Sequence, residues 1–222
     1  MTENIVEVDV VSDVMCPWCY IGKRRLEKAL ELIPAEVEVE INWLPFQLDP
    51  TIPQEGRDRQ TYLSQKFGSP EQIASVYDPI RKAGEVEDIP FNFEGITLSP
   101  NTIDAHRLIR WAQASGMQDA MSERLFKAYF IEGQDLTDHK VLLDLAVDAG
   151  LERDVVERLL AGDADRKEVQ DEIAQYQQMG VRSVPTIIVG KKYAVVGAQQ
   201  AETIAEVIGG VFEERKAENA EA

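Results

Sequence analysis

Ser12-Asp13-Val14-Met15-Cys16-Pro17-Trp18-Cys19 decides how the chain is read, because it joins a strand pattern to a helix pattern through two closely spaced cysteines. Upstream, residues 5–11 (Ile-Val-Glu-Val-Asp-Val-Val) alternate at first and then become fully apolar, as a strand does when its end is buried. Downstream, Ile21, Leu26, Ala29, Leu30 and Ile33 recur near the helical period until Pro34 stops them. Residues 37–44 (Val-Glu-Val-Glu-Ile-Asn-Trp-Leu) alternate as a second strand. The result is a β-α-β unit, and its helical connection favours parallel strands with a right-handed crossover.

The cysteine spacing places both sulfurs at one helix terminus, where a disulfide can close and open. The unpaired backbone N–H groups and the helix dipole there stabilise a thiolate at Cys16. Cys16 comes first and is expected to be the more exposed, attacking sulfur. Cys19 lies a turn further in and is expected to resolve a mixed disulfide. Pro17 is tolerated in a first turn because its missing N–H would be unpaired there anyway. Trp18 supplies an apolar, partly exposed surface beside the sulfur. The chain has two cysteines and two histidines, His106 and His139, both in helical patterns. Half of a zinc site is one competing reading, for which the sequence offers no other cysteine, and two inert cysteines at a helix start are another.

From about residue 55 to 178 the pattern is mostly helical. Ser69-Pro70-Glu71-Gln72 reads as a capping box with proline in the first turn. Ser99-Pro100 reads as another helix start, and further helices are expected carrying Met121, Leu125, Phe126, Tyr129 and Phe130, from Thr137 or Asp138, over about 152–161 and over about 165–179. Residues 84–98 give no clear pattern. Thr186-Ile187-Ile188-Val189, a Gly190-Lys191-Lys192 turn and Tyr193-Ala194-Val195-Val196 form a hairpin, and an amphipathic helix follows over about 200–216. The tail from Glu218 is expected to fray. The order is β-α-β, a large helical insertion, then β-β-α. Residues 1–50 and 180–222 would form one domain and 51–179 the inserted one.

A formal net charge of −17 over 222 residues sets nucleic acid aside as a partner. No apolar run reaches the length of a membrane span. The first residues show neither a basic stretch nor a small-residue cleavage site, so a cytoplasmic location is expected. In a reducing compartment a close cysteine pair reads as catalytic or metal-binding rather than structural.

Val184-Pro185-Thr186, between Gly180-Val181-Arg182-Ser183 and the hairpin, is weak evidence alone, since a proline before a strand is common at sheet edges. Together with Ser12–Lys23, Ser99-Pro100-Asn101-Thr102, Ala105-His106-Arg107-Leu108 and Val196-Gly197-Ala198-Gln199, it gives a pattern spanning nearly the whole chain. This pattern resembles the DsbA-like branch of the thioredoxin superfamily, and within it the cytoplasmic FrnE-like oxidoreductases. The resemblance implies an α/β, thioredoxin-like fold with an all-helical insertion, Cys16 as nucleophile and Cys19 as resolving thiol. It also implies a cis Pro185 facing the disulfide, with the Val184 backbone receiving an extended substrate. Pro17, Trp18, Asn101 and His106 are candidate substrate contacts; Asn101 reads equally as a helix-start residue and His106 as a packing residue. Asp9 and Asp13 are candidate proton acceptors near Cys19. The Pro-Trp dipeptide replaces the Pro-His of periplasmic DsbA. No extra cysteine pair of the kind some FrnE-like proteins carry is present.

The expected activity is oxidation, reduction or isomerisation of disulfides in cysteine-containing proteins or peptides, with glutathione as a candidate co-substrate and no bound cofactor or metal. Two rivals remain. One is a glutathione-dependent isomerase or transferase, as in the related 2-hydroxychromene-2-carboxylate isomerase and kappa-class transferase branch, which typically has serine at the position of Cys16. The other is a non-enzymatic client-binding module. The oligomeric state is not legible in the sequence.

Overall fold

The computed structural model describes residues 5–220. Residues 1–4, on which the expectation about a leader partly rests, and residues 221–222 lie outside the described residues. β1 (Ile5–Ser12), α1 (Pro17–Leu32) and β2 (Glu38–Pro45) form the β-α-β unit. The strands are parallel, in register from Ile5 with Glu38 to Ser12 with Pro45. β1 buries Val6, Val8, Val10 and Val11, which is why its pattern turns apolar toward the cysteines.

The intervening segment holds β3 (Arg57–Asp58), α2 (Arg59–Phe67), α3 (Pro70–Val86), β4 (Leu98–Ser99), α4 (Ile103–Ala112), α5 (Gln118–Phe130), α6 (His139–Asp148), α7 (Arg153–Leu160) and α8 (Arg166–Gln178). The capping box of α3 is present: Ser69 accepts from the Gln72 backbone and the Gln72 side chain accepts from the Ser69 backbone. α6 starts at Asp138, whose carboxylate accepts from the Lys140 N–H at 2.7 Å.

Ser99-Pro100 does not start a helix. Ser99 pairs with Arg57 in the short β3–β4 ladder, and α4 begins only at Ile103. The Ser99 hydroxyl is taken by the Arg59 guanidinium at 3.2 Å, so it is not available to cap. The unclear stretch 84–98 resolves into the end of α3, a 3-10 turn at Phe93–Gly95 and β4.

β5 (Thr186–Val189), β6 (Tyr193–Val196) and α9 (Ala201–Ala220) close the chain. The sheet order is β2-β1-β5-β6, with β5 antiparallel to both neighbours. Gly190 and Lys191 both have φ of 59°, the left-handed pair that a tight hairpin requires. α9 continues through 218–220, where fraying was expected.

The packing joins the two halves of the chain. One buried cluster runs from Val6 to Phe212 and includes Tyr20 of α1 with Phe126, Tyr129 and Phe130 of α5. Tyr20 stacks on Phe126 with ring centroids 5.1 Å apart. Polar ties then fix α1 in place. Arg25 donates to Glu87 at 2.7 Å, Lys28 donates to the same carboxylate at 2.8 Å, and buried Lys23 reaches Asp119 at 3.1 Å. The helix that starts at the cysteines is therefore held by the end of α3 and by α5, and it packs along α9.

Candidate active site

Cys16 is the N-cap of α1, in extended conformation, with Pro17 in the first turn. No side chain caps this end and no acidic residue lies in its first turn, so the dipole faces Cys16 unopposed. The turn is built by backbone bonds: the Cys16 N–H donates to the Asp13 carbonyl at 3.0 Å and the Cys19 N–H to the Cys16 carbonyl at 3.0 Å.

The Val184–Pro185 peptide is cis. Its loop is fastened on both sides: the Thr186 hydroxyl donates to the Ser183 carbonyl at 2.8 Å, and the Gly197 N–H donates to the Pro185 carbonyl at 2.8 Å. The loop reaches back to the cysteines across most of the chain, where the Cys16 thiol donates to the Val184 carbonyl at 3.6 Å. Contact this close depends on Gly22. A Cβ at that position would lie 2.9 Å from Cγ of Pro185. Only glycine lets α1 approach the loop so closely.

Both cysteines are free thiols. Cys16 is 5% exposed and Cys19 1%, the expected order, although both are largely covered. Burial pushes the Cys19 thiol well above its ordinary value, and neighbouring Cys16 adds to the rise, while Ser12 and Asp13 oppose it.

Cys16 opens onto a cleft of about 280 Å³. Met15, Pro17 and Trp18 line it beside the sulfur, Ser183, Val184 and Arg182 line it from the cis-proline loop, and α2 and α3 form the far wall. α2 contributes Arg59, Tyr62, Leu63, Lys66 and Phe67, and α3 contributes Val76, Tyr77 and Ile80. No α2 or α3 residue is among the site residues expected from sequence. α2 is a short, largely polar helix whose periodicity gives little signal, and only the fold shows which of its residues meet Cys16.

Asn101 and His106 do not line this cleft. Asn101 braces the start of α4: its Oδ1 accepts from the Ile103 N–H at 3.1 Å and its Nδ2 donates to the Ile52 carbonyl at 2.8 Å. His106 is buried with Nε2 2.9 Å from the Phe46 carbonyl, and it borders a separate small cavity beside Trp43. Asn101 thus sits as a helix-start residue and His106 as a packed one. Asp13 is fully buried and accepts from the Met15 and Leu48 N–H groups, at 3.3 and 2.7 Å, so it ties the cysteine loop to the segment after β2. Asp9 pairs with Asn42 across the β1–β2 ladder at 3.1 Å.

A cysteine pair at an uncapped helix start, facing a cis proline that leads an antiparallel strand, defines a thioredoxin-like protein of the thiol–disulfide type. The chain matches the DSBA-like thioredoxin domain over residues 7–209, and it belongs to that family. It is similar to a probable DsbA oxidoreductase, SCO1869 of Streptomyces coelicolor, with 31% identity, a TM-score of 0.86, and coverage of 94% of this chain and 91% of that one. It is similar to the uncharacterized protein YwbO of Bacillus subtilis, 27% identical across 83% of this chain and 87% of that protein. The fold also matches the cytosolic disulfide reductase DsbM of Pseudomonas aeruginosa, solved with GSH, at 18% identity and a TM-score of 0.58, covering 97% of this chain and 98% of that one. Among the described residues, no helix is long and apolar enough to cross a membrane.

Proposed function

We propose that the protein exchanges thiols and disulfides with cysteine-containing protein or peptide substrates through Cys16 and Cys19. The carrying observation is the contact of the Cys16 sulfur with the Val184 carbonyl across the cis-proline turn, at the mouth of an open cleft. In the reducing direction, the Cys16 thiolate attacks one sulfur of a substrate disulfide. A Cys16–substrate bond forms, the substrate S–S bond breaks, and the departing sulfur leaves as a thiolate with the electron pair. Cys19 then loses its proton to solvent and attacks Cys16. The second substrate sulfur departs, and the protein is left with a Cys16–Cys19 disulfide after giving up two electrons. The oxidising direction is the reverse. Burial of Cys19 keeps it protonated, so it stays out of the first attack and enters only once Cys16 is engaged.

Glutathione is a second reading, as co-substrate for resetting the pair. The basic residues of the cleft favour it, as does the GSH in the structure of DsbM, whose fold is similar. A glutathione-dependent isomerase would not need Cys19, and a client-binding module would need neither cysteine. Trapping separates these readings. Cys19→Ala incubated with a cystine-containing protein should accumulate mixed disulfides on non-reducing gels, and Cys16→Ala should not. Equal trapping by the two variants would refute the assignment of roles.

A further inference from the structure

Arg59 is a cation without a counter-ion. Its side chain is buried, and its three hydrogen bonds go to neutral oxygens: the Tyr77 hydroxyl, the Tyr129 hydroxyl at 3.1 Å and the Ser99 hydroxyl at 3.2 Å. Burial raises both phenols above their ordinary value, so they stay protonated and add no negative charge. A guanidinium offers five N–H donors, so two are left without a protein acceptor. Among the described residues, no carboxylate pairs with Arg59, nor with the two exposed cations of the same cleft, Lys66 and Arg182. The acidic group that feels Lys66 is Asp49, whose carboxyl is lowered chiefly by Thr51 and only further down by that lysine.

The cleft lining holds these three cations and no Asp or Glu, in a chain with 40 acidic against 23 basic residues. The Tyr77 and Tyr129 rings also lie 6.0 and 5.9 Å from the guanidinium, but hydroxyls and ring faces leave a buried charge without the counter-ion that a bound anion would supply. A guanidinium with unused donors matches a carboxylate in geometry as well as in charge.

We propose that the cleft is a carboxylate subsite, in which Arg59, flanked by Lys66 and Arg182, selects disulfide substrates carrying an acidic group beside the reacting cysteine. This rests on the exchange reading and specifies its substrate class. The chain as a whole carries a formal net charge of −17 and repels such substrates, so selection is confined to this cleft.

The test compares two cystine peptides that differ only in Glu or Gln flanking the cysteine, together with oxidised glutathione and its ethyl ester. The Glu peptide should be exchanged about tenfold faster in kcat/KM at low salt, as one charge-assisted contact warrants. That ratio should shrink as salt is added. Arg59→Met should bring it toward one. Because Arg59 is buried and its loss could unfold the chain, the exposed Lys66→Gln and Arg182→Gln variants are measured beside it, and each should lower the ratio severalfold. A preference for Glu supports acidic protein segments as the source of the carboxylate. Discrimination confined to glutathione over its ester supports a small thiol. Equal rates within both pairs overturn the carboxylate subsite and leave exchange intact, whereas no exchange with any of the four overturns the exchange reading and the subsite with it.

Discussion

Gly22→Ala tests whether the cis-proline loop is held against α1 as described. In a helix interior this substitution ordinarily stabilises by about 0.5–1 kcal/mol, because alanine restricts the unfolded chain. At Gly22 the new Cβ would stand 2.9 Å from Cγ and 3.4 Å from Cβ of Pro185. Carbon atoms rest about 3.5–4.0 Å apart, so helix or loop must yield by roughly half an ångström or more. Forcing one methyl into a filled site costs about 1–3 kcal/mol, and the net expectation is a loss of about 1 kcal/mol. The same shift moves the Val184 carbonyl away from Cys16, and displacement on this scale slows a reaction by about tenfold or more. Gly210→Ala in α9 is the control, since a Cβ there meets nothing within 4 Å and should gain about 0.5–1 kcal/mol. Urea unfolding of the two variants and their rates of disulfide exchange give the readout. If Gly22→Ala is stabilised as much as Gly210→Ala and exchanges at the parent rate, the close approach of α1 to Pro185 is refuted.

Two other perturbations follow from the same geometry. The Cys19 thiol is raised in the folded protein, so the stability it contributes is complete below its ordinary value of 9.0 and is lost as pH rises above that value. The reduced protein should therefore lose urea resistance above about pH 9. Tyr20, pushed up to about 12, adds to the loss at higher pH, so the Cys19 share is read as the difference from Cys19→Ala, whose curve should be flatter; identical curves would count against a buried, protonated Cys19. Arg107 is fully buried, and it donates to Asp104 and to the carbonyls of Leu159, Gly162 and Ala164, which wrap it at 2.6–2.8 Å. Arg107→Met should destabilise by about 3 kcal/mol, because it strands three carbonyls, each costing about 1–3 kcal/mol when unpaired, while Asp104 keeps its bonds from Arg166 and His139; a loss under about 1 kcal/mol in thermal unfolding would show that this knot is replaceable.

The strands and the cysteine-bearing helix were legible because their burial is one-sided and periodic: β1 turns apolar where both of its faces are covered, and Pro34 closes the helical pattern. The capping box at Ser69 was legible because it is local chemistry. Ser99 misled for the complementary reason. Its hydroxyl is drawn to Arg59, 40 residues away in sequence, and no local pattern reports such a partner. The cleft wall was hidden for the same reason, since Arg59, Tyr62, Lys66 and Tyr77 belong to the site only through the packing of α2 and α3 over Cys16. Gly22 stood in plain view beside the cysteines, but its role is visible only once Pro185 is seen against it. His106 and Asn101 drew attention as polar residues in a segment resembling the family, and the structure gives both to the framework around α4.

The central claim is that Cys16 and Cys19 act as one two-electron couple. The most direct measurement equilibrates the protein with glutathione buffers of graded ratio, quenches with an alkylating reagent and determines by mass how many thiols were labelled. The account predicts a single transition between a doubly labelled and an unlabelled form, with both cysteines changing together and neither changing alone. Two thiols labelled at every ratio, or a Cys16–glutathione adduct that persists while Cys19 stays free, would contradict it.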